Sequence, residues 1–449
     1  MIAEKNNKKF TKQDILRIVN EKNVRFIRLQ FTDIFGSCKN IAIPPNQLQK
    51  ALDNQCMFDG SSIEGFVRIE ESDMYLHPDL DTFMLYPWNK DDTVIARIIC
   101  DVYDTNGKPF PGDPRFILKN AINKAKRLGL ECFVGPECEF FLFETDSNGQ
   151  PTTNTIDNGG YFELGPVDKG ELARKEMCMC LEDMGFEIEA SHHECAPGQH
   201  EIDFKYSDAL KAADDIITFK LAVKSIADKH NLHATFMPKP LFDHAGSGMH
   251  INISLQRNGE NAFCDENDPN GLSQIAYNFI AGIMDHVKGF TAITNPIVNS
   301  YKRLVPGYEA PIYIAWSAKN RSPLIRVPAA RGNSTRIELR NPDPSANPYL
   351  VLATCIMAGI DGIERNLTPP KSVDSNIFKL TNDELMAMGI DNIPDNLGLA
   401  IFEMKRDSLI NQTLGSHAFM KYIAYKEEEW NNYRNVVTKW EIDNYLGRY

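Results

Sequence analysis

Residues 135–143, Gly135-Pro136-Glu137-Cys138-Glu139-Phe140-Phe141-Leu142-Phe143, are apolar enough to form a buried strand. Side chains at i and i+2 of a strand leave the same face, so Glu137 and Glu139 project together from an otherwise oily element. Two adjacent carboxylates with little water around them repel each other. A hard divalent cation is the simplest partner for such a pair, because it prefers carboxylate oxygen. Taken alone, the segment reads equally well as a strand end at which both glutamates reach water.

The chain has 449 residues, a length that suits two domains. It is 43% hydrophobic and 24% charged, which is ordinary for a globular protein and supplies a large core. Its 61 acidic residues outnumber 48 basic ones, for a net charge of −13. That balance argues against binding nucleic acid by phosphate neutralisation, but leaves room for a nucleotide held by a few local cations. The first nine residues, with Lys5, Lys8 and Lys9, lack the apolar core of a signal peptide. No uncharged apolar stretch is long enough to span a bilayer, so no membrane partner is expected. The ten cysteines follow no disulfide or metal-ligand spacing, and Cys178-Met179-Cys180 reads as helix packing. A reducing, cytoplasmic location fits this usage.

A helix is expected from Thr11, with Asp14 completing a capping box, and a strand over Ile27, Leu29 and Phe31. A second, nearly all-apolar strand covers residues 94–102. The Gly/Pro/Asp-rich run from Asp104 to Asp113 marks a domain boundary, dividing the chain into residues 1–104 and 105–449. Asp113 then caps a helix that has Pro114 at its first position and ends near Gly129. Further helices are expected over residues 207–230, 273–287 and 419–436. The expected class is α+β: a small N-terminal α/β domain followed by a large domain of short strands and longer helices.

Other segments repeat the pattern of polar groups on one face of an apolar strand. His250, Asn252 and Ser254 alternate with Met249, Ile251, Ile253 and Leu255; Arg336, Glu338 and Arg340 alternate with Ile337 and Leu339. A solvated sheet face gives the same alternation. His192-His193-Glu194 and Gly198-Gln199-His200-Glu201 are dense in imidazole and carboxylate for an idle surface. Simple alternation does not put Glu189 and Glu194 on one face; a bulge or bend would be needed. Together these segments offer Glu137, Glu139, Glu194, Glu201, Glu338 and His250, too many for one Mg2+, which keeps several waters. They suit two or three hard cations around a polyphosphate. Arg303, Arg321, Arg326, Arg336 and Arg340 supply a cationic side whose planar forks suit carboxylate and phosphate. Carboxylates, cations and arginines together point to phosphoryl transfer, and no Walker loop is present to hold the phosphates.

Over essentially its whole length the chain resembles the class I glutamine synthetase family. The motifs that carry the resemblance are Phe58-Asp59-Gly60-Ser61-Ser62, Gly135-Pro136-Glu137-Cys138-Glu139-Phe140, His192-His193-Glu194, Gly246-Ser247-Gly248-Met249-His250, Lys302 to Pro311, Asn320-Arg321-Ser322 and Arg336-Ile337-Glu338-Leu339-Arg340. The resemblance implies a β-grasp N-terminal domain and a catalytic domain built on an antiparallel sheet, of the glutamine synthetase/guanido kinase type. It implies two stacked hexameric rings, a homododecamer, with each active site between neighbouring subunits. It implies two or more Mg2+ or Mn2+ ions per subunit, with Glu139, Glu194 and Glu201 on one and Glu137, His250 and Glu338 on the other. ATP would use Glu189, Tyr206, Asn252, Ser254, Arg321 and Arg326. Glutamate would use Gly246, Arg303, Glu309, Arg321 and Arg340. Asp59 and Ser62 would hold ammonium, with Asp59 taking its proton, and Glu309 would sit on a flap over the intermediate. Asp59, Glu309 and Arg321 are thus the catalytic candidates.

The chain departs from the family pattern at Asp243-His244-Ala245, where Asn-Gly is usual before Gly246. At the place matching the tyrosine adenylylated in one subgroup stands Phe378, which has no hydroxyl. Residues 61–70 resemble instead the subgroup inhibited by glutamine, in which the position of Arg68 senses product; an ion pair with Glu70 or Glu71 is the other reading of Arg68. A nitrogen-responsive transcription regulator is a partner of that subgroup. Cys138 and Cys195 flank the metal-ligand candidates and read as packing, with oxidative inactivation as the alternative. For the aromatic C-terminus from Trp440 to Tyr449 the resemblance implies packing into the opposite ring; a tail folded on its own subunit is the other reading. The competing functions are a glutamate–amine or polyamine ligase of the same family and a non-catalytic homologue.

Overall fold

The computed structural model describes residues 9–63, 65, 73–88, 93–305 and 310–449. The first sheet contains β1 (Phe26–Thr32), β2 (Cys38–Ile43), β3 (Cys56–Asp59), β4 (Asp73–Pro78), β5 (Met84–Leu85) and β6 (Ile95–Tyr103). Its order is β2-β1-β6-β4-β3, with β5 also on β6. β1 is antiparallel to β2 but parallel to β6, the mixed pairing that places the first and last long strands side by side. Ile27, Leu29, Ile98 and Val102 fill the core between this sheet and helices α1 (Lys12–Glu21) and α2 (Leu48–Leu52). The expected capping box of α1 is present: the Thr11 hydroxyl takes the Asp14 N–H and the Asp14 carboxylate takes the Thr11 N–H.

The opposite face of this sheet meets the larger part of the chain. Arg97 on β6 donates to Thr218 Oγ1 at 3.1 Å. Arg115, in α3 (Pro114–Arg127), is 3% exposed and bonds Asp79 and Asp101 on one side and Asp214 on the other, at 2.7–2.9 Å. These aspartates hold the buried guanidinium firmly charged against the cost of its burial. Asp113 caps α3 through the Arg115 N–H, as its position before Pro114 predicts.

The second sheet is built on β7 (Glu131–Thr145). Around it lie β8 (Pro151–Thr155), β9 (Ile188–His193), β10 (Gln199–Phe204), β11 (Ser207–Asp208), β12 (Leu232–Thr235), β13 (Met249–Arg257), β14 (Glu260–Asn261), β15 (Trp316–Ser317), β16 (Ile325–Arg326) and β17 (Ile337–Leu339). The main path is β15-β16-β17-β13-β7-β10-β9, antiparallel except between β15 and β16. One face is covered by helices including α4 (Glu171–Asp183), α5 (Ala209–Lys229), α6 (Gln274–Thr294), α7 (Ser300–Arg303) and α8 (Pro348–Glu364), around a core that contains Val134, Phe140, Ile251, Phe279 and Leu352. The chain ends in α9 (Asn382–Ala387), α10 (Leu397–Arg406), α11 (Ser408–Arg434) and α12 (Lys439–Tyr445).

Three helix expectations shift. The one over residues 273–287 runs on to Thr294. The helix expected from residue 207 starts at Ala209, because Ser207 and Asp208 first pair with β7, and Asp208 then caps. The helix expected from residue 419 belongs to a longer element from Ser408, interrupted at Gly415, whose φ of +74° only glycine adopts readily. No described helix is long and apolar enough to cross a membrane.

Candidate active site

Strand register assembles the polar face. β13 sets His250 opposite Glu137, and β10 sets Glu201 opposite Glu139. β9 sets His192 opposite Glu201. On the other side Asn252 lies opposite Glu338, and Arg326 opposite Glu338. Residues paired across strands, or two apart along one, leave the same face, so all of these side chains point away from the helices. Glu137 and Glu139 are half-buried and lie within β7 rather than at its end, and Glu201 and Glu338, unlike residues of an idle solvated face, are buried.

His250 Nδ1 lies 3.3 Å from Glu137 and 3.7 Å from Glu338. His192 lies between Glu194 and Glu201, 3.4 Å from each. Glu139 Oε2 accepts the Gly248 N–H at 2.8 Å and the Gln199 amide at 3.0 Å. Burial, and then the charge of Glu194, pushes the Glu139 carboxyl up to about 7 against the pull of His250. Burial and the charges of Glu139 and Asp203 push Glu201 up further. Burial also opposes ionisation of Glu137, but the His250 imidazole and the Asn252 amide outweigh it and hold this carboxyl low. The face therefore carries more carboxylate than its own donors neutralise, and its donor set of oxygens and imidazole fits hard divalent cations.

The arginines border this face. Arg326 and Arg340 bond the two oxygens of Glu338 at 2.7 and 3.1 Å. Arg336 Nε donates to the Asn252 side-chain oxygen Oδ1 at 3.0 Å. Arg303, 4% exposed, is locked by bonds to the carbonyls of Arg340 and Asn341. A Cβ at Gly248 would stand 2.6 Å from its guanidinium, and one at Gly246 would stand 2.3 Å from the Pro238 carbonyl, so both positions need glycine. Arg321 is exposed, and its carbonyl accepts from Arg340.

Beside Glu137 opens a cavity of about 420 Å³, lined among others by Glu189, Tyr206, Asn252, Ser254 and Arg336. Four of the six residues expected at ATP thus share one cavity; Arg321 and Arg326 do not line it. Near Glu189, where a bulge or bend would be needed to bring it to the face of Glu194, β9 and β10 slip register between Asp203 and Phe204, and Glu189 is the residue skipped. Glu194 lies just past the end of β9, on the turn to β10. Asp59 lies elsewhere, exposed on β3, lining a separate cavity of about 510 Å³ with Lys39 and Asn40, and Ser62 is exposed nearby in sequence. Glu309 and Arg68 lie outside the described residues.

Sequence reasoning assigned no role to five residues found here. His192 separates two carboxylates, Gln199 ties Glu139 to the Gly246 carbonyl, and Asp203 lines the cavity. Tyr161 and Phe162 stack on each other, with the Phe162 ring edge-on to His192 at 4.8 Å. Alternation from Glu201 points to Gln199 and Asp203; nothing in the sequence pattern points to Tyr161 or Phe162. Cys138 is fully buried and Cys195 exposed. Phe378 packs against Tyr313.

Residues 23–105 match the family domain described as "Glutamine synthetase, beta-Grasp domain", and residues 111–445 the one described as "Glutamine synthetase, catalytic domain". The chain belongs to the glutamine synthetase family. It is 62% identical over 441 residues to the glutamine synthetase of Clostridium saccharobutylicum, covering 98% of this chain and all of that one. It is 58% identical to that of Staphylococcus aureus strain Mu50, covering 98% and 99%. Among solved structures, a complex described as GmaS/ADP aligns with a TM-score of 0.88 at 32% identity, covering 97% of this chain and 99% of that one. Plasmodium falciparum glutamine synthetase aligns with a TM-score of 0.86 at 27% identity, covering 98% and 100%. The β-grasp domain and the mixed α+β architecture expected from the resemblance are those of the family.

Proposed function

We propose that the chain joins ammonia to L-glutamate at the expense of ATP, through γ-glutamyl phosphate, releasing L-glutamine, ADP and phosphate. It is a glutamate–ammonia ligase. The observation that carries the site assignment is the register that lines Glu137, Glu139, Glu201, His250 and Glu338 on one face beside the 420 Å³ cavity. In this reading Glu139, Glu194 and Glu201 hold one divalent ion and Glu137, His250 and Glu338 another, Mg2+ or Mn2+. When bound, such ions neutralise phosphate charge and polarise the phosphoryl group that glutamate attacks.

The chain's own residues do the rest. Glu189, Tyr206, Asn252 and Ser254 seat the nucleotide along the cavity. Arg326 and Arg340, anchored on Glu338, present their remaining N–H groups, and with Arg321 stabilise charge on the transferring group. Arg303, unable to turn away, fixes the glutamate with Gly246 behind it. Glu309 closes over the acyl phosphate and excludes water. Asp59 and Ser62, supplied by a neighbouring subunit of a double-ring dodecamer, attract ammonium, and the carboxylate takes its proton. The exposure of Asp59 on a cavity separate from the sheet face supports completion by a second copy. Arg68 reports glutamine, Phe378 precludes adenylylation at that position, and the enzyme works in the cytoplasm, where a nitrogen-responsive transcription regulator is its protein partner. The domain boundary lies at residues 104/105.

The test is ATP-dependent product formation from glutamate with Mg2+, comparing ammonium, methylamine and a diamine, with and without glutamine. Preference for ammonium and inhibition by glutamine are expected. Preference for a larger amine would move the chain to the amine-ligase branch and remove Asp59 as an ammonium site.

A further inference from the structure

Behind the carboxylate face lies a second group of four ligand-type side chains: Asp157, Asp168, His193 and His200, all buried and within 4.8 Å of one another. Its hydrogen bonds exclude a metal centre. Arg174 Nη1 bonds His200 Nδ1 at 2.8 Å and Asp168 at 2.6 Å. A guanidinium only donates, so His200 Nδ1 accepts and its Nε2 carries the proton, leaving that ring no lone pair for a cation. His193 Nδ1 faces the Glu194 carbonyl at 2.7 Å and Nε2 faces Asp157 Oδ1 at 3.1 Å; both partners are acceptors. Gly159 and Gly170 pack so closely on the two rings that a Cβ would stand 2.7 Å from His193 Nε2 and 2.4 Å from His200 Nε2.

Asp157 is the hub. Its Oδ1 takes the N–H groups of Gly159 and Gly198 and the His193 ring, and its Oδ2 takes the Lys169 N–H, at 2.9–3.2 Å. One carboxylate thereby ties both ends of residues 157–169 to the turn between β9 and β10. That segment carries Tyr161 and Phe162, and the Phe162 N–H donates to the His193 carbonyl at 3.0 Å. Glu139 and Glu201 are placed by ladder pairing; Glu194 sits just past β9, where its N–H donates to the Gln199 carbonyl at 2.7 Å as the last pairing bond before the turn. Gly198, on the same turn, has φ +66° and no room for a Cβ against the Leu142 carbonyl. Beyond that bond the turn takes its position from what grips it.

We propose that Asp157 is a positioning residue: through His193 and Gly198 it sets where Glu194 stands relative to Glu201. The inference rests on the reading of Glu139, Glu194 and Glu201 as a cation site. Its test is Mn2+ titration of metal-free full-length protein, read by the free-ion electron paramagnetic resonance signal, alongside steady-state kinetics. Asp157→Asn is expected to weaken Mn2+ binding on the order of tenfold, the scale of lost outer-shell support, and to lower kcat while the KM for ATP stays near wild type. His193→Leu, which removes the ring donors, should behave like Asp157→Asn; His193→Gln, which keeps a donor toward Asp157, should restore most of the affinity. Wild-type Mn2+ binding in Asp157→Asn, or equal loss in His193→Gln and His193→Leu, would overturn the proposal. So would a wild-type protein that binds no Mn2+, or a bound metal lost one-for-one with Asp157. A wild type that binds Mn2+ yet makes no glutamine would instead sink the proposed function and leave this inference standing.

Discussion

Around Arg115, Asp79, Asp101 and Asp214 share one guanidinium; on the open face of the large sheet, Glu139, Glu194 and Glu201 meet with one imidazole, His192, between two of them. Both places are buried and acidic. The first closes its charge from within the chain, with Lys119 adding a second cation at Asp101, and it fastens the small sheet to α3 and α5. The second leaves its charge open, with Glu139 pushed up by burial and by Glu194, and Glu201 by burial and by Glu139. Buried acid is structural where a cation of the chain is built in, and is a site where the cation must come from outside.

Removing the built-in cation is the harshest way to break the contrast. Arg115→Met takes the guanidinium from Asp79 and Asp214 and leaves Asp101 only Lys119, and is expected to destabilise the protein by about 3–5 kcal/mol, visible as a large drop in melting temperature. A small drop would mean that the aspartates find other partners. Asp59→Asn comes next. It should leave ATP-dependent phosphoryl transfer to glutamate largely intact while lowering amide formation by roughly 10²–10⁴-fold, the range of a lost general base. Equal loss of both partial reactions would count against Asp59 as the ammonium site.

Glu201→Gln sharpens the contrast from the other side. It relieves repulsion on the open face, so the metal-free protein is expected to melt higher, gaining on the order of 1 kcal/mol, while Mn2+ binding weakens. A lower melting temperature would show that Glu201 is already neutralised from within. The smallest expected effect is at His286, a third acidic cluster. Its ring bonds Asp407 at 2.8 Å and Asp361 at 3.0 Å, with Asp285 at 3.9 Å and Arg365 on Asp285 and Asp361. Burial pushes this imidazole down, but the bonds to Asp407 and Asp361 prevail and raise it. A raised histidine contributes stability that is full below its ordinary value of about 6.5 and is lost as pH rises through the folded value. His286→Gln should therefore cost melting temperature at pH 6 and little at pH 9. The same cost at both values would assign the contribution to packing.

Much of the carboxylate face was legible in the chain. The i, i+2 spacing of Glu137 and Glu139, and the alternation around His250 and Glu338, declare a polar side on an apolar strand wherever a strand forms. The capping pairs Thr11/Asp14 and Asp113/Pro114 declare helix starts for similarly local reasons. Glu194 was legible through the local density of imidazole and carboxylate, not through alternation, because it stands on a turn that period-2 reasoning does not reach. Tyr161 and Phe162 were not legible at all: their segment obeys no period and takes its position from Asp157.

Local spacing thus determined which residues share a face, since backbone geometry repeats every two or 3.6 residues whatever surrounds it. Only the tertiary structure decided which faces meet. Register between strands far apart in sequence set His250 against Glu137 and Glu201 against Glu139. Burial by the whole fold then made one acidic cluster a fastening and left the other with charge to spare. Pairing and burial both depend on distant residues, and no local period encodes them.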